Sequence, residues 1–375
     1  MKRCSRSVLD DTIQSITFDE NGESHYCKIY DEMAKLYPIE TREQDLQNLL
    51  EQIKKKGQGK KYDCIIGVSG GTDSTYTMLK VVELGLRPLA VHLDNGWNSD
   101  IAVQNIKRAC DILNVELYTY VIEWEEFKDL QKSFLRASTP DAEVPTDVAI
   151  HATLVKMAAK EGIKYVLNGH SFRTEFIMPK DWTYMDGRYI KSIQKQFGSK
   201  KLKSFPNFTI LDTLYYNLIR GIKVVPFLNY FEYTKEDARK VLEDKLEWQY
   251  YGGHHHENLY TKFYQSHLLP QKFGIDKRKT ALSASILSGK ITRDEALQVL
   301  DKEKHHVDKE TVDFVLRKLE LSTEDFQQIM SLDIKSFRDY PTYYPMLKQF
   351  QWPIKLLCQL GLLPMILYYK FFDRL

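Results

Sequence analysis

Nowhere in these 375 residues is there a Gly-x-x-x-x-Gly-Lys-[Ser/Thr] loop, or a Gly-x-Gly-x-x-Gly turn between a strand and a helix. The two commonest nucleotide-binding signatures are therefore missing. Cysteine is sparse: Cys4, Cys27, Cys64, Cys110 and Cys358 are odd in number and far apart, which suggests no disulfide framework. Charge of one sign is lacking too. Fifty-three Lys and Arg against 51 Asp and Glu leave +2, which gives no electrostatic ground for nucleic acid as the main partner. The opening Met1-Lys2-Arg3-Cys4-Ser5-Arg6 leads into polar sequence, not an apolar signal core, so the expectation is a cytoplasmic protein. The apolar tail 352–372 is broken by Pro353, Gly361 and Pro364 and interrupted by Lys355 and Lys370. A membrane span needs about 20 mostly apolar residues without such breaks. A peripheral-membrane or partner-docking segment, or packing on the protein's own core, fits the tail better.

What the chain has is Gly67-Val-Ser-Gly-Gly-Thr-Asp-Ser74, placed between the apolar run Tyr62, Cys64, Ile65, Ile66 and a helical pattern over 75–84. Gly70 and Gly71 let the backbone bend tightly and approach a ligand. The helix start offers unpaired N–H groups and the positive end of a dipole. Ser69, Thr72 and Ser74 add hydroxyls, making a site suited to phosphate oxygens.

Around this loop, short apolar strands alternate with amphipathic helices. Strands are expected at 63–68, 88–93, 116–122 and 164–168, and helices at 45–57, 74–85, 99–114 and 146–161. Such alternation predicts an α/β fold with a parallel sheet covered on both faces. Ligands of such sheets sit beyond the carboxyl ends of the strands. That rule selects 69–74, 94–97 and 168–170. The nucleotide site expected from them comprises Val68, Ser69, Gly70, Gly71, Thr72, Asp73, Ser74, Leu93, Asp94, Gly169 and His170. Asp94 either meets ribose, adenine or a metal, or serves the ordinary turn Asp-Asn-Gly. His170 either bonds phosphate or is structural. Arg173 suits phosphate or a sugar carboxylate, and Glu175 a metal, with a surface ion pair as the plainer reading.

The stretch 180–215 is rich in Lys, Phe, Tyr and Ser with little periodicity, and reads as a lid or a solvated insertion. In 250–300, His254 and Glu257 stand three apart and would meet on a helix. Phe273-Gly-Ile-Asp276-Lys277-Arg278-Lys279 sets three cations beside an acid, either to neutralise pyrophosphate or to begin a basic helix.

Ser-Gly-Gly-x-Asp-Ser resembles the pyrophosphate loop of the PP-loop ATP pyrophosphatases. Together with Asn168-Gly-His170, Arg173-Thr-Glu175, Tyr251-Gly-Gly-His254 and Phe273–Arg278, the chain resembles the N-acetyl sugar amidotransferases of lipopolysaccharide and flagellar glycan biosynthesis over roughly 1–310. The resemblance implies a Rossmann-like (HUP-type) doubly wound sheet with a mostly helical C-terminal extension. It also implies ATP and Mg²⁺, and a nucleotide-linked N-acetyl sugar whose acetamido oxygen is adenylated and then displaced by ammonia. Asp73, Lys277 and Arg278 would be catalytic. Arg173, His254 and Glu257 would face the sugar, and Asp73 and Glu175 would hold Mg²⁺. No cysteine sits in a nucleophile context for a fused glutaminase, so separate glutaminase and ammonia-channel subunits are expected. The family's two N-terminal Cys-x-x-Cys pairs read Cys4-Ser-Arg-Ser7 and Ser24-His-Tyr-Cys27 here, so zinc is not expected. Four segments follow: 1–57, the ATP domain 58–245, a helical substrate region 246–335 and the tail 336–375. A tRNA-thiolating enzyme with the same loop, or a non-catalytic nucleotide-binding subunit, are the rival readings. The former would need paired reactive cysteines.

Overall fold

The computed structural model describes residues 2–252, 257–302 and 308–372. At its centre lie five strands: β1 (Cys64–Gly67), β2 (Pro88–Asp94), β3 (Glu116–Val121), β4 (Tyr165–Asn168) and β5 (Lys223–Pro226). All pair in parallel, in the spatial order β3-β2-β1-β4-β5. Side chains alternate across a strand, and β1 shows the result. Ile65 packs into one core, while Cys64 and Ile66 pack into the other. All three have no exposed surface, as a parallel sheet covered on both faces requires. Ile65→Ala is expected to cost roughly 2–5 kcal/mol, the range for truncating a close-packed buried side chain.

The helices run α1 (His25–Leu36), α2 (Arg42–Gly57), α3 (Thr72–Glu83), α4 (Asp100–Leu113), α5 (Trp124–Ala137), α6 (Val144–Lys160), α7 (Phe172–Glu175), α8 (Gly187–Phe197), α9 (Ile210–Leu214) and α10 (Lys235–Leu246). Beyond β5 and α10 come α11 (Leu259–Phe263), a π-helical stretch Tyr264–Phe273, α12 (Arg278–Leu287), α13 (Arg293–Lys302), α14 (Lys309–Lys318), α15 (Thr323–Ser331), α16 (Tyr344–Gln349), α17 (Gln351–Gln359) and α18 (Met365–Phe372). Leu50, Met78, Ile106 and Leu242 bring α2, α3, α4 and α10 onto one face of the sheet. Phe127, Val155 and Ile190 bring α5, α6 and α8 onto the other. Strand order reverses on either side of β1, so a crevice opens beyond the carboxyl ends of β1 and β4.

Two expectations are corrected. The stretch 180–215 is neither lid nor solvated insertion throughout. Trp182, Tyr184, Tyr189, Ile190 and Ile193 are buried, and Gln194 donates to Asp129 Oδ2 at 2.6 Å. Its helical face was diluted by lysines on the other face. The tail is divided. Cys358, Leu363, Tyr368, Tyr369 and Phe372 join the main core, while Trp352 and Leu360 remain 73% and 65% exposed. Among the described residues, no helix is long and apolar enough to cross a membrane. That same core takes side chains from Leu9 through Phe372, so it runs through all four of the expected segments.

Candidate active site

The loop 69–74 is held open by its surroundings. Gly70 has φ +78°, and a Cβ there would collide with the carbonyl of Ala102 in α4. Trp248 Nε1 donates to the Gly70 carbonyl at 2.9 Å, and Asn105 Nδ2 approaches the same oxygen at 3.4 Å. Inside the loop, Ser69 N donates to Ser74 Oγ at 3.2 Å and Gly71 N to Ser69 Oγ at 3.2 Å. Gly169, at the end of β4, comes so close that a Cβ would stand 2.8 Å from the Asp73 carbonyl. A cavity of about 310 Å³ lies against this loop and the N-terminus of α3. The helix dipole favours anions there.

Asp73, in the first turn of α3, is fixed from two sides. Tyr233 OH donates to Oδ1 at 3.1 Å, and Lys235 Nζ lies 3.0 Å from Oδ2. Lys235 also stands 4.0 Å from Glu175, whose other oxygen accepts from His170 Nδ1 at 2.5 Å. Burial works to lower the Lys235 pKa, but Asp73 and Glu175 outweigh it and the net shift is upward. Lys235 and Arg239, one turn apart on α10, both line the 310 Å³ cavity.

This cavity shares Ser69, Ser74, Asn168, His170, Glu175 and Glu257 with a larger one of about 700 Å³. The larger space runs between α6 and the segment 257–281. His92 borders it in a defined tautomer. Its Nδ1 can only donate to the Val68 carbonyl at 2.8 Å, which leaves Nε2 facing Asn98 Nδ2 at 3.1 Å. Burial lowers its pKa and keeps it neutral. Lys277 and Arg278 open α12 on the wall of this cavity, with Arg278 paired to Asp276 at 2.8 Å. Burial pushes the Lys277 pKa down, while Asp147 and Glu143 act to raise it.

Ser69, Ser74, His170, Glu175 and Glu257 meet where the cavities join, and Gly71, Thr72, Asp73 and Gly169 line the smaller one. Val68 and Leu93 line the larger. Lys277 and Arg278, expected at pyrophosphate, line the larger cavity and not the smaller. Asp94 lines neither. Its Oδ1 accepts from Gly96 N at 2.9 Å, the plain turn reading. Arg173 is also elsewhere. Its guanidinium donates to the carbonyls of Asn229 at 3.0 Å and Tyr37 at 2.5 Å, tying α7 to the end of α1. His254 lies outside the described residues. Asp73 and Glu175, expected at Mg²⁺, have Lys235 between them, and no group of three His, Cys, Asp or Glu that could hold a metal is found among the described residues. Two carboxylates fit Mg²⁺ only when phosphate oxygens and water complete its shell. Tyr233, Lys235 and Arg239 were missed in the sequence, and Tyr251, which lines the smaller cavity, was singled out only as part of a motif. The cap Thr234-x-x-Asp237, which the structure uses, was the available signal.

The four N-terminal positions 4, 7, 24 and 27 converge with no exposed surface. Cys4 and Cys27 sulfurs are 3.6 Å apart, and Ser24 N donates to Cys4 at 3.2 Å. The hydrogen bond from Cys27 pulls the Cys4 pKa down to about 4.

Residues 257–353 match the family model described as LPS biosynthesis protein WbpG-like, C-terminal domain. The match begins at Glu257, where the two cavities join, and takes in the wall carrying Lys277 and Arg278. Through this domain the chain resembles lipopolysaccharide-biosynthesis proteins. A curated relative, the uncharacterized protein MJ1599 of Methanocaldococcus jannaschii, is 24% identical over 220 residues. The matched part covers 58% of this chain and 64% of that protein's length. Among solved structures, NMN synthetase from Francisella tularensis is 16% identical with a TM-score of 0.29, covering 56% of this chain and 97% of that one. The U34-tRNA thiolase NcsA from Methanococcus maripaludis is 12% identical with a TM-score of 0.34, covering 85% and 98%. The NH3-dependent NAD synthetase from Campylobacter jejuni is 15% identical with a TM-score of 0.28, covering 71% and 99%.

Proposed function

We propose that the protein is an ATP-dependent, AMP-forming sugar amidotransferase acting on a nucleotide-linked N-acetyl sugar. One observation carries the reading. The cavity against the loop 69–74 shares lining residues with a second cavity, walled by the segment that matches the lipopolysaccharide-biosynthesis domain. ATP places its β- and γ-phosphates against the N–H groups of 70–74, with Lys235 and Arg239 opposite. The acetamido oxygen of the sugar attacks the α-phosphorus and pyrophosphate leaves. Ammonia adds to the activated carbon. AMP departs carrying the former amide oxygen, and an acetamidino group remains. Charge develops on the leaving pyrophosphate, where fixed donors and cations contribute most to rate. Asp73 and Glu175 would be the residues to hold Mg²⁺, which would supply further screening of that charge. Ammonia comes from a separate glutaminase or from free ammonium.

Thiolation has little support here. Burial pushes the Cys64 thiol well up and the Cys110 thiol up to about 11, and no cysteine borders either cavity. The deciding assay is pyrophosphate release from ATP with Mg²⁺ and ammonium, over UDP- and CMP-linked N-acetyl sugars, with mass spectrometry of the sugar. The expected product is about one mass unit lighter, and an ¹⁸O label on the amide appears in AMP. Turnover confined to tRNA with a sulfur donor would refute the proposal.

A further inference from the structure

The face of α6 that lines the larger cavity carries a row of polar side chains: Glu143 just before the helix, then Thr146, Asp147 and Thr153. All four border the larger cavity. Thr146 and Thr153 are each 6% exposed, and neither hydroxyl has a hydrogen-bond partner among the described residues. This is not how helical hydroxyls behave elsewhere in the chain. Thr75 donates to the Gly71 carbonyl at 2.8 Å, Thr77 to Asp73 at 2.7 Å, Ser133 to Asp129 at 2.8 Å and Ser285 to Ala281 at 3.0 Å. Each uses the carbonyl one turn back, the ordinary escape for a buried hydroxyl on a helix. Thr153 has the Ala149 carbonyl available for the same bond and leaves it unused. Burying an unpaired hydroxyl is unfavourable, and two on one cavity wall point to a ligand that pairs them.

The spacing narrows the ligand. Thr146 and Thr153 are seven residues apart, about 10 Å along the helix. A single ammonium or metal ion cannot reach both. Between them stands Asp147, an acceptor for O–H and N–H donors. The nearby cations are already engaged, Arg278 with Asp276 and Lys277 facing Asp147 and Glu143. A wall of hydroxyls and carboxylates, with its cations engaged, suits an extended ligand rich in hydroxyl and amide N–H groups.

We propose that the α6 face Thr146–Asp147–Thr153 is the subsite that binds the sugar ring and its amide substituent, and so sets acceptor specificity. This rests on the amidotransferase reading, and names residues for its acceptor. The test is equilibrium binding to the full chain of UDP-N-acetylglucosamine, UDP-N-acetylgalactosamine and CMP-N-acetylneuraminate, each against its bare nucleotide. Wild type is compared with Thr146→Val, Thr153→Val and Thr153→Ser. At least one sugar nucleotide is expected to bind more tightly than its bare nucleotide. Each valine should weaken that binding about five- to twenty-fold, the loss of one buried hydrogen bond. Serine, which keeps the hydroxyl, should stay within about twofold, and ATP affinity should not change. The subsite is overturned if the valine variants bind like wild type, if bare nucleotides bind as tightly as the sugar nucleotides, or if none of the three sugar nucleotides binds. Pyrophosphate release is scored alongside. Release with unaltered valine variants removes only the subsite. Altered binding with no release under any condition removes only the amidotransferase reading.

Discussion

Lys235→Met tests the electrostatic core of the site. The substitution keeps the length of the aliphatic stem and removes the ammonium lying 3.0 Å from Asp73 and 4.0 Å from Glu175. With the two closer side chains 20% and 14% exposed, the pair sits near the protein edge of the dielectric range. Unit charges at that distance attract by roughly 5 kcal/mol at an effective dielectric near 20, and desolvation of the lysine offsets part of it. Removing one partner of a buried pair costs about 3–5 kcal/mol, because the other charge is left uncompensated. We therefore expect urea unfolding to show a loss of about 3 kcal/mol. Adding Asp73→Asn should return at least about 1 kcal/mol, since the stranded charge goes with it. The pH dependence has a definite sign. The folded Lys235 pKa is raised, so its contribution is fully present below the unfolded value near about 10.4 and fades only as pH climbs past it. The gap between wild type and variant should be flat from about pH 6 to 9 and narrow above 10. Pyrophosphate release should fall at least about a hundredfold, the usual scale for losing a preorganised charge contact. A variant within about 1 kcal/mol of wild type, with Asp73→Asn purely additive, would refute the reasoning.

Gly70→Ala forces a Cβ into the Ala102 carbonyl at a left-handed φ. It should cost about 1–2 kcal/mol from the backbone alone, and lower pyrophosphate release far more than the thermal midpoint suggests. Trp248→Phe removes the donor that fixes the Gly70 carbonyl. About 1 kcal/mol of stability and a weaker ATP affinity by titration calorimetry are expected. Asp141, fully enclosed and accepting from Tyr184 N and Tyr189 OH, is pushed up to about 7 by burial. Its folded pKa lies above its unfolded one, so the folded state binds the extra proton and stability falls as pH rises from about 4 to about 7, at most about 1.4 kcal/mol per unit. Asp141→Asn should flatten that slope in pH-dependent denaturation, and an unchanged slope would assign it to other groups.

The parts of the fold legible in sequence are those where local pattern and global position agree. The strands at β1, β2 and β4 are apolar runs bounded by turn residues, β3 is an alternating Leu-Tyr-Thr-Tyr-Val edge strand, and the loop between β1 and α3 announces itself by composition. β5 did not, because Lys-Val-Val-Pro is four residues long and ends in proline, a residue that argues against a strand read in isolation. Tertiary context overrides that local signal, since β5 pairs with β4 through Tyr165 opposite Lys223 and Asn168 opposite Pro226. Missing one strand had a chemical consequence. Ligand groups gather beyond the carboxyl ends of strands, and it is the segment after β5 that delivers Lys235 and Arg239 to the 310 Å³ cavity beside the loop, and Tyr233 to Asp73. Arg173 fails in the opposite sense. It lies near a strand end and carries the right charge, but its position on the short α7 aims it at backbone carbonyls behind the site. Charge and sequence neighbourhood select candidates. Only the facing direction of a helix, fixed by long-range packing, separates Lys235, which lines the cavity beside the loop, from Arg173, which ties two helices together.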